Sequence, residues 1–272
     1  MNASASRPEL APSPDAARRV AAALRRAATG FLTAVQFLTR IPVPEGDYRL
    51  GDAVVWLPAV GQLLGTVLAL AYVGLRLLGA PSLLESALLV VLLLVATGAL
   101  HADGLVDTFD AAFSHASPQR RLEIMRDPHA GAFGVVALVS VVALKVAALD
   151  GMPIVFTTGM LIVAPALGRW AIVLLACVFP YGRANGLGEP LKNAATPRAL
   201  VIASVLPLLA CVLVGPLGVV SALLAALVAL GLGLWLIRLL PGLTGDSYGA
   251  ACELVEAAVW VAGALLGPRL MA

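Results

Sequence analysis

The sequence predicts an all-α, polytopic transmembrane helical bundle of about seven spans with an N-terminal amphipathic interfacial helix. Of its 272 residues, 60% are hydrophobic and only 12% charged. That is about half the charge of an average soluble domain, and far more apolar surface than one core of this length hides. The apolar residues fall in runs of about 20, long enough to cross hydrocarbon as helices, and no alternating ten-residue pattern points to an outer-membrane barrel. A formal charge of +2, spread over membrane-flanking segments, gives no nucleic-acid footprint. The expected partner is therefore a lipid bilayer and not nucleic acid. Cys177, Cys211 and Cys252 stand singly in or beside apolar segments, without the spacing of a metal or redox motif, and read as small core residues.

Residues 1–15 are rich in Ala, Ser and Pro with no apolar block, which predicts a disordered tail and no signal peptide. Over residues 16–40, Arg18, Arg19, Arg25 and Arg26 interleave with Val20, Leu24, Phe31, Leu32, Val35 and Leu38. That pattern predicts an amphipathic helix lying on an anionic bilayer face; an ordinary solvated helix on the bundle would carry it too. Residues 41–272 are the transmembrane catalytic domain in this reading, with spans at about 53–78, 83–100, 133–149, 153–179, 199–214, 217–240 and 248–267. The fourth is long and carries Pro165, Gly168 and Arg169, so a kink or break is expected near its middle. The fifth and sixth are joined only by Gly215-Pro216, a tight reversal.

Lysine and arginine set the orientation. With the N-terminus in the cytoplasm, Arg120, Arg121, Arg126, Arg183, Lys192, Arg198 and Arg238 fall on or near cytoplasmic loops, while the reversals near residues 80, 151 and 216 carry none. Arg269 is the exception. The expected location is a bacterial cytoplasmic (inner) membrane, multi-pass, with the polar motifs on its cytoplasmic face. The sequence shows no internal repeat, which weighs against an inverted-repeat transporter. It leaves room for a homo-oligomer.

One stretch breaks the avoidance of charge. His101, Asp103, Asp107 and Asp110 lie beside the second span, where acids are costly and mark function. Spaced i, i+4 and i+7, the three aspartates project from one helix face. Two unit charges about 6 Å apart repel by roughly 3 kcal/mol at an effective dielectric near 20, so the cluster asks for Mg²⁺ or Mn²⁺, or for protons. Gly104 lets a ligand or another backbone approach closely. A solvated acidic helix start, favoured by the helix dipole, gives the same spacing, and His101 suits a supporting or packing role as well as a catalytic one.

Three further motifs share that face. Arg120, Arg121 and Arg126 lead into Asp127-Pro128 and a glycine-flanked entry to the next span. Arginines there suit phosphate, and Asp127 a metal shell, although positive-inside anchoring explains the arginines equally well. Thr244-Gly245-Asp246 precedes Glu253 and Glu256 in the last span. Carboxylates within a membrane helix need a partner, which is either a ligand or Lys145 and Arg169 inside the bundle. The glycine-rich stretch from Tyr181 to Gly188, with Arg183, suits an anionic ligand or is an ordinary connecting loop.

The ordered set of motifs resembles the cobalamin synthase family, adenosylcobinamide-GDP ribazoletransferase. It is carried by Phe37 to Pro42, Gly98 to Asp110, Glu123 to Asp127 with Gly131 to Gly134, Gly168-Arg169, and Thr244 to Asp246 with Gly249, Ala250 and Glu256. The resemblance covers about residues 31 to 267. It implies a Mg²⁺-dependent membrane transferase that joins adenosylcobinamide-GDP to α-ribazole or its 5′-phosphate, releases GMP, and completes the nucleotide loop of cobalamin (vitamin B12). On the residues' own chemistry, Asp103, Asp107, Asp110, Asp246 and Glu256 are the candidate ligands of that metal, with Mn²⁺ as a substitute. Asp103, Asp107 or His101 would take the hydroxyl proton, and Arg126, Arg169 and Arg183 would hold phosphates. The Asp-Gly-x-x-Asp fragment is also similar to CDP-alcohol phosphotransferases, but Asp107-Thr108 departs from their spacing. A cation-coupled transporter and an assembly scaffold are the competing classes.

Overall fold

A membrane-crossing segment has to satisfy every backbone donor and acceptor within itself. The computed structural model describes residues 14–183, 186 and 188–270, and it is helical almost throughout, with no strand among the described residues. The expected tail at 1–15 falls mostly on residues outside that set.

The amphipathic segment forms α1 (Pro14–Leu38). Its arginine-rich first half is exposed, and its last turns bury Thr33, Ala34, Val35 and Leu38. A 3-10 turn (Leu50–Trp56) runs into α2 (Leu57–Leu77), then come α3 (Ser82–Thr97), α4 (Leu100–Phe113) and the short α5 (Pro118–Ile124). The second half holds α6 (Ala132–Asp150), α7 (Ile154–Val178), the short α8 (Glu189–Ala194), α9 (Pro197–Val214), α10 (Pro216–Leu236) and α11 (Gly245–Leu266). Among the described residues, six segments are long and apolar enough to cross a membrane, and α3 with α4, bent by 91°, makes a seventh if counted as one span. Leu70, Val139, Val205, Leu213, Leu223 and Leu227 remain exposed along the outer faces, as a lipid-facing surface requires. The chain is a multi-pass helical bundle, as predicted.

Helix α7 lies at the centre, buried over most of its length, and packs on α2, α9 and α11. Of the expected kink or break, the break is corrected: α7 runs as one helix through Pro165. Proline at 165 withholds one N–H from the Leu161 carbonyl, and that carbonyl faces Gly65 of α2, while the Pro165 carbonyl faces Gly61. The Gly-x-x-x-Gly pair of α2 thus admits the backbone of α7 at close range, the small-residue contact typical of helices in lipid.

The second predicted span also needs correction. It ends at Thr97, because Gly98 (φ 60°) and Ala99 (φ 58°) both take the left-handed conformation. Alanine is rarely found there. Two successive left-handed residues turn the chain aside, so α4 leaves the axis of α3 and crosses one end of the bundle. The Phe37–Pro42 segment closes that corner: Arg40 N–H donates to the Ala96 carbonyl at 2.8 Å, and the Arg40 side chain lies against Gly98. Gly215 (φ 87°) makes the predicted reversal between α9 and α10. Chain alternation then brings residues 39–50, 98–131, 179–183, 188–196 and 237–244 to the same end of the bundle.

Candidate active site

Helix α4 lies against the N-terminal turn of α11, and two glycines set their separation. A Cβ at Gly104 would stand 2.8 Å from the Asp246 carbonyl oxygen and 3.0 Å from its Cα; one at Gly249 would stand 3.2 Å from the His101 carbonyl oxygen. These are backbone obstacles that no rotamer change relieves. Gly104→Ala is expected to lower stability in detergent by about 1–3 kcal/mol, the usual cost of overpacking, against about 1 kcal/mol gained from helix propensity. A thermal-unfolding midpoint at or above that of the wild type would show that the two helices have slack.

The start of α11 is fixed by a capping box. Thr244 Oγ1 accepts from Ser247 N–H (3.2 Å), and Thr244 N–H donates to Ser247 Oγ (3.3 Å). This presents Asp246 beside α4. Gly182 N–H donates to the Leu243 carbonyl (2.8 Å) and Leu243 N–H to the Pro180 carbonyl (2.9 Å). The pairing brings Arg183 to Asp246, with Nη1 2.8 Å from Oδ2. The Asp107 carboxylate lies in the field of Asp246, Asp103 and Asp110 as like charges and of Arg183 as the opposing one. The sequence-distant motifs around residues 103, 183 and 246 therefore meet, while two of the five expected metal ligands, Asp110 and Glu256, are engaged elsewhere.

Asp110 is the first correction. Its Oδ2 accepts from Gly131 N–H (2.7 Å) and its Oδ1 from Gly134 N–H (2.9 Å). It caps the N-terminus of α6, where orphan backbone donors and the positive dipole end favour a carboxylate. A side chain at Gly131 or Gly134 would collide with it, which explains the glycine-flanked entry to that span.

Glu256 is the second. It is buried, bonded to Lys145 Nζ (2.5 Å) and to Arg169 Nη1, while Lys145 also reaches Glu253 (2.6 Å). Of the two readings the sequence allowed, packing of α6 and α7 on α11 selects the internal ion pairs. Arg169 leaves the phosphate-binding set for the same reason: it is 1% exposed, with Nη1 committed to Glu256 and to the Pro165 carbonyl. Asp127 accepts from the backbone N–H (3.0 Å) and ring Nδ1 (2.7 Å) of His129, bonds that hold its carboxyl below the usual range.

His101 is buried, with Nδ1 3.5 Å from Arg169 Nη2. A guanidinium carries donors only, so Nδ1 presents a lone pair and the ring proton sits on Nε2. In that tautomer Nε2, which is buried without a partner among the described residues, is a donor.

Among the described residues no three of His, Cys, Asp and Glu gather as a metal site. Asp103, exposed, and Asp107, one turn on, remain on the open face of α4. Mg²⁺ is commonly held by one or two carboxylates with substrate phosphates completing the shell, and this pair fits that chemistry. Asp103 borders three cavities. One of about 170 Å³ is walled by Phe37, Leu100, Ile172, Leu191 and Tyr248 and reaches Asp246. Another, about 270 Å³, adds Asp107, Arg126 and Asp127. The last, about 420 Å³, adds Gln36, Thr39 and Arg40. Arg40 and Tyr248 are missing from the sequence-predicted site. The signal for Arg40 was a lone cation between apolar neighbours; Tyr248 gave none.

Fold and site define a multi-pass helical membrane protein that gathers carboxylates, guanidinium groups and three adjoining cavities at one end of its bundle. The chain belongs to the cobalamin-5-phosphate synthase family, an enzyme family whose model matches residues 30–264. Similar curated proteins include those of Stutzerimonas stutzeri (42% identical, covering 86% of this chain and 97% of that protein) and Roseiflexus sp. (38%; 88% and 91%). The protein of Synechococcus elongatus is 37% identical (88% and 97%). All three are named adenosylcobinamide-GDP ribazoletransferase. No solved structure gives a significant match to the chain. The resemblance drawn from the ordered motifs holds over the length expected.

Proposed function

We propose that this chain joins adenosylcobinamide-GDP to α-ribazole or its 5′-phosphate and releases GMP, forming adenosylcobalamin or its 5′-phosphate. The observation that carries the reading is the position of Asp103, whose carboxylate borders an apolar cavity, an arginine-bearing one and the Arg40 cavity at once. A two-substrate phosphoryl transfer needs such a junction: an uncharged acceptor on one side, a pyrophosphate on the other, and acid groups between.

In this reaction an acceptor hydroxyl oxygen bonds to the phosphorus that carries the cobinamide arm, the P–O bond to GMP breaks, and the hydroxyl proton passes to an aspartate of α4. Asp103 and Asp107 would hold Mg²⁺, or Mn²⁺ in its place, together with substrate phosphate oxygens. When bound, the ion offsets charge on the pyrophosphate and on the leaving GMP. Arg126, exposed beside Asp107, gives a planar pair of donors to phosphate. Arg183 is oriented by Asp246 through Nη1, and its Nε and Nη2 have no partner among the described residues, so they serve the same anion.

The active end would face the cytoplasm across a bacterial inner membrane, because the loops at that end carry the arginines. Inside-out membrane vesicles supplied externally with adenosylcobinamide-GDP, α-ribazole and Mg²⁺ are expected to release GMP, and right-side-out vesicles are not. A chelator should abolish release and added Mg²⁺ or Mn²⁺ restore it. Purified, monodisperse protein that releases no GMP with both substrates would overturn the assignment.

A further inference from the structure

The 170 Å³ cavity between α4 and α11 has a composition that an anion-binding site would not choose. Its walls are Phe37, Leu100, Ile172 and Leu191, and its charged neighbours, Asp103 and Asp246, are acids. No lysine or arginine lines it among the described residues. Two polar atoms at this lining are nevertheless buried without a partner among the described residues: His101 Nε2 and the Tyr248 hydroxyl, on side chains 3% and 2% exposed. Buried polar groups are paired in all but a few cases, and an orphan calls for an explanation. His101 offers a donor, since its Nδ1 faces Arg169; the tyrosine hydroxyl can donate as well.

From these observations we infer that the cavity receives the flat aromatic base of the acceptor nucleoside and sets which bases the enzyme accepts. The inference rests on the reading under Proposed function and deepens it. A benzimidazole whose one nitrogen is bonded to ribose is apolar over its rings and keeps a single in-plane acceptor, the other ring nitrogen. That lone acceptor takes one hydrogen bond, from the Tyr248 hydroxyl, and the carbocycle answers the apolar walls. A corrin ring is too large for this space. A base with an exocyclic amino edge sets donor against donor at His101, which costs the full desolvation of both groups. With the base seated, the ribose points toward Asp103, where the three cavities meet.

The test uses purified full-length protein in detergent and two probes, α-ribazole and a riboside of a phenol, which has no ring nitrogen. Binding of each is titrated without the second substrate, and KM is measured for both substrates of the reaction. Tyr248→Phe is expected to weaken α-ribazole about tenfold, the worth of one buried hydrogen bond. The same change should leave the phenol riboside and the KM for adenosylcobinamide-GDP within twofold of wild type. Ile172→Trp fills the cavity and should abolish binding of both ribosides while adenosylcobinamide-GDP still binds. If wild type releases GMP and both variants bind α-ribazole as tightly as it does, the pocket is elsewhere and the reaction stands. If wild type binds α-ribazole, Tyr248→Phe weakens it, and no GMP appears, the pocket is upheld and the proposed reaction is overturned.

Discussion

Asp103→Asn and Asp107→Asn are each expected to lower GMP release by about 10²–10³ at saturating substrate, the scale found when one preorganised electrostatic contact is removed from a phosphoryl or acyl transfer site. Asparagine keeps the shape of the side chain but gives up the negative charge, so a loss this large reports on charge at the reacting phosphates. Both residues stand on the open face of α4, where the change creates no cavity. Asp110→Asn is the internal control. Its oxygens cap α6 through Gly131 and Gly134, so the variant should lose about 1 kcal/mol of stability, as a weakened cap does, and retain turnover within about tenfold. Wild-type rates in the Asp103 and Asp107 variants would remove the metal role. A loss in the Asp110 variant as large as theirs would restore Asp110 to the site.

That contrast marks how far the sequence could be read. Spacing put Asp103, Asp107 and Asp110 on one helix face, and loop charge put them at the same end of the bundle as Asp246; both inferences follow from periodicity and composition, which are local. What spacing could not give was the partner of each acid. Asp110 finds two backbone amides 21 and 24 residues on, because α4 bends away from α3 and passes the N-terminus of α6. The bend depends on Ala99 in a left-handed conformation, which no propensity rule assigns to alanine. Tyr248 was invisible for the same reason: it matters through a cavity that exists only once α1, α4 and α11 meet.

The buried charges beneath the site make the second large prediction. Lys145, Arg169, Glu253 and Glu256 form one network across α6, α7 and α11, each 5% exposed or less. With both cations and both carboxylates charged, the sum is zero, and the arrangement is tolerable in the bundle interior only for that reason. Lys145→Met keeps the length of the side chain and removes the common partner of two carboxylates, leaving one uncompensated negative charge. It is expected to cost about 3–5 kcal/mol, the range for breaking a buried pair from one side, read as a drop in the thermal-unfolding midpoint in detergent. Adding Glu253→Gln returns the sum to zero with Arg169 still paired to Glu256, and most of the loss should be recovered. If the double variant is as unstable as Lys145→Met alone, packing around the lysine stem and its ammonium over Trp260 (5.5 Å), and not charge balance, is what the network supplies. Arg169 also faces His101, so restored balance should bring back GMP release together with stability. Stability without activity would locate the defect in the orientation of His101, one helix away from the substituted residue.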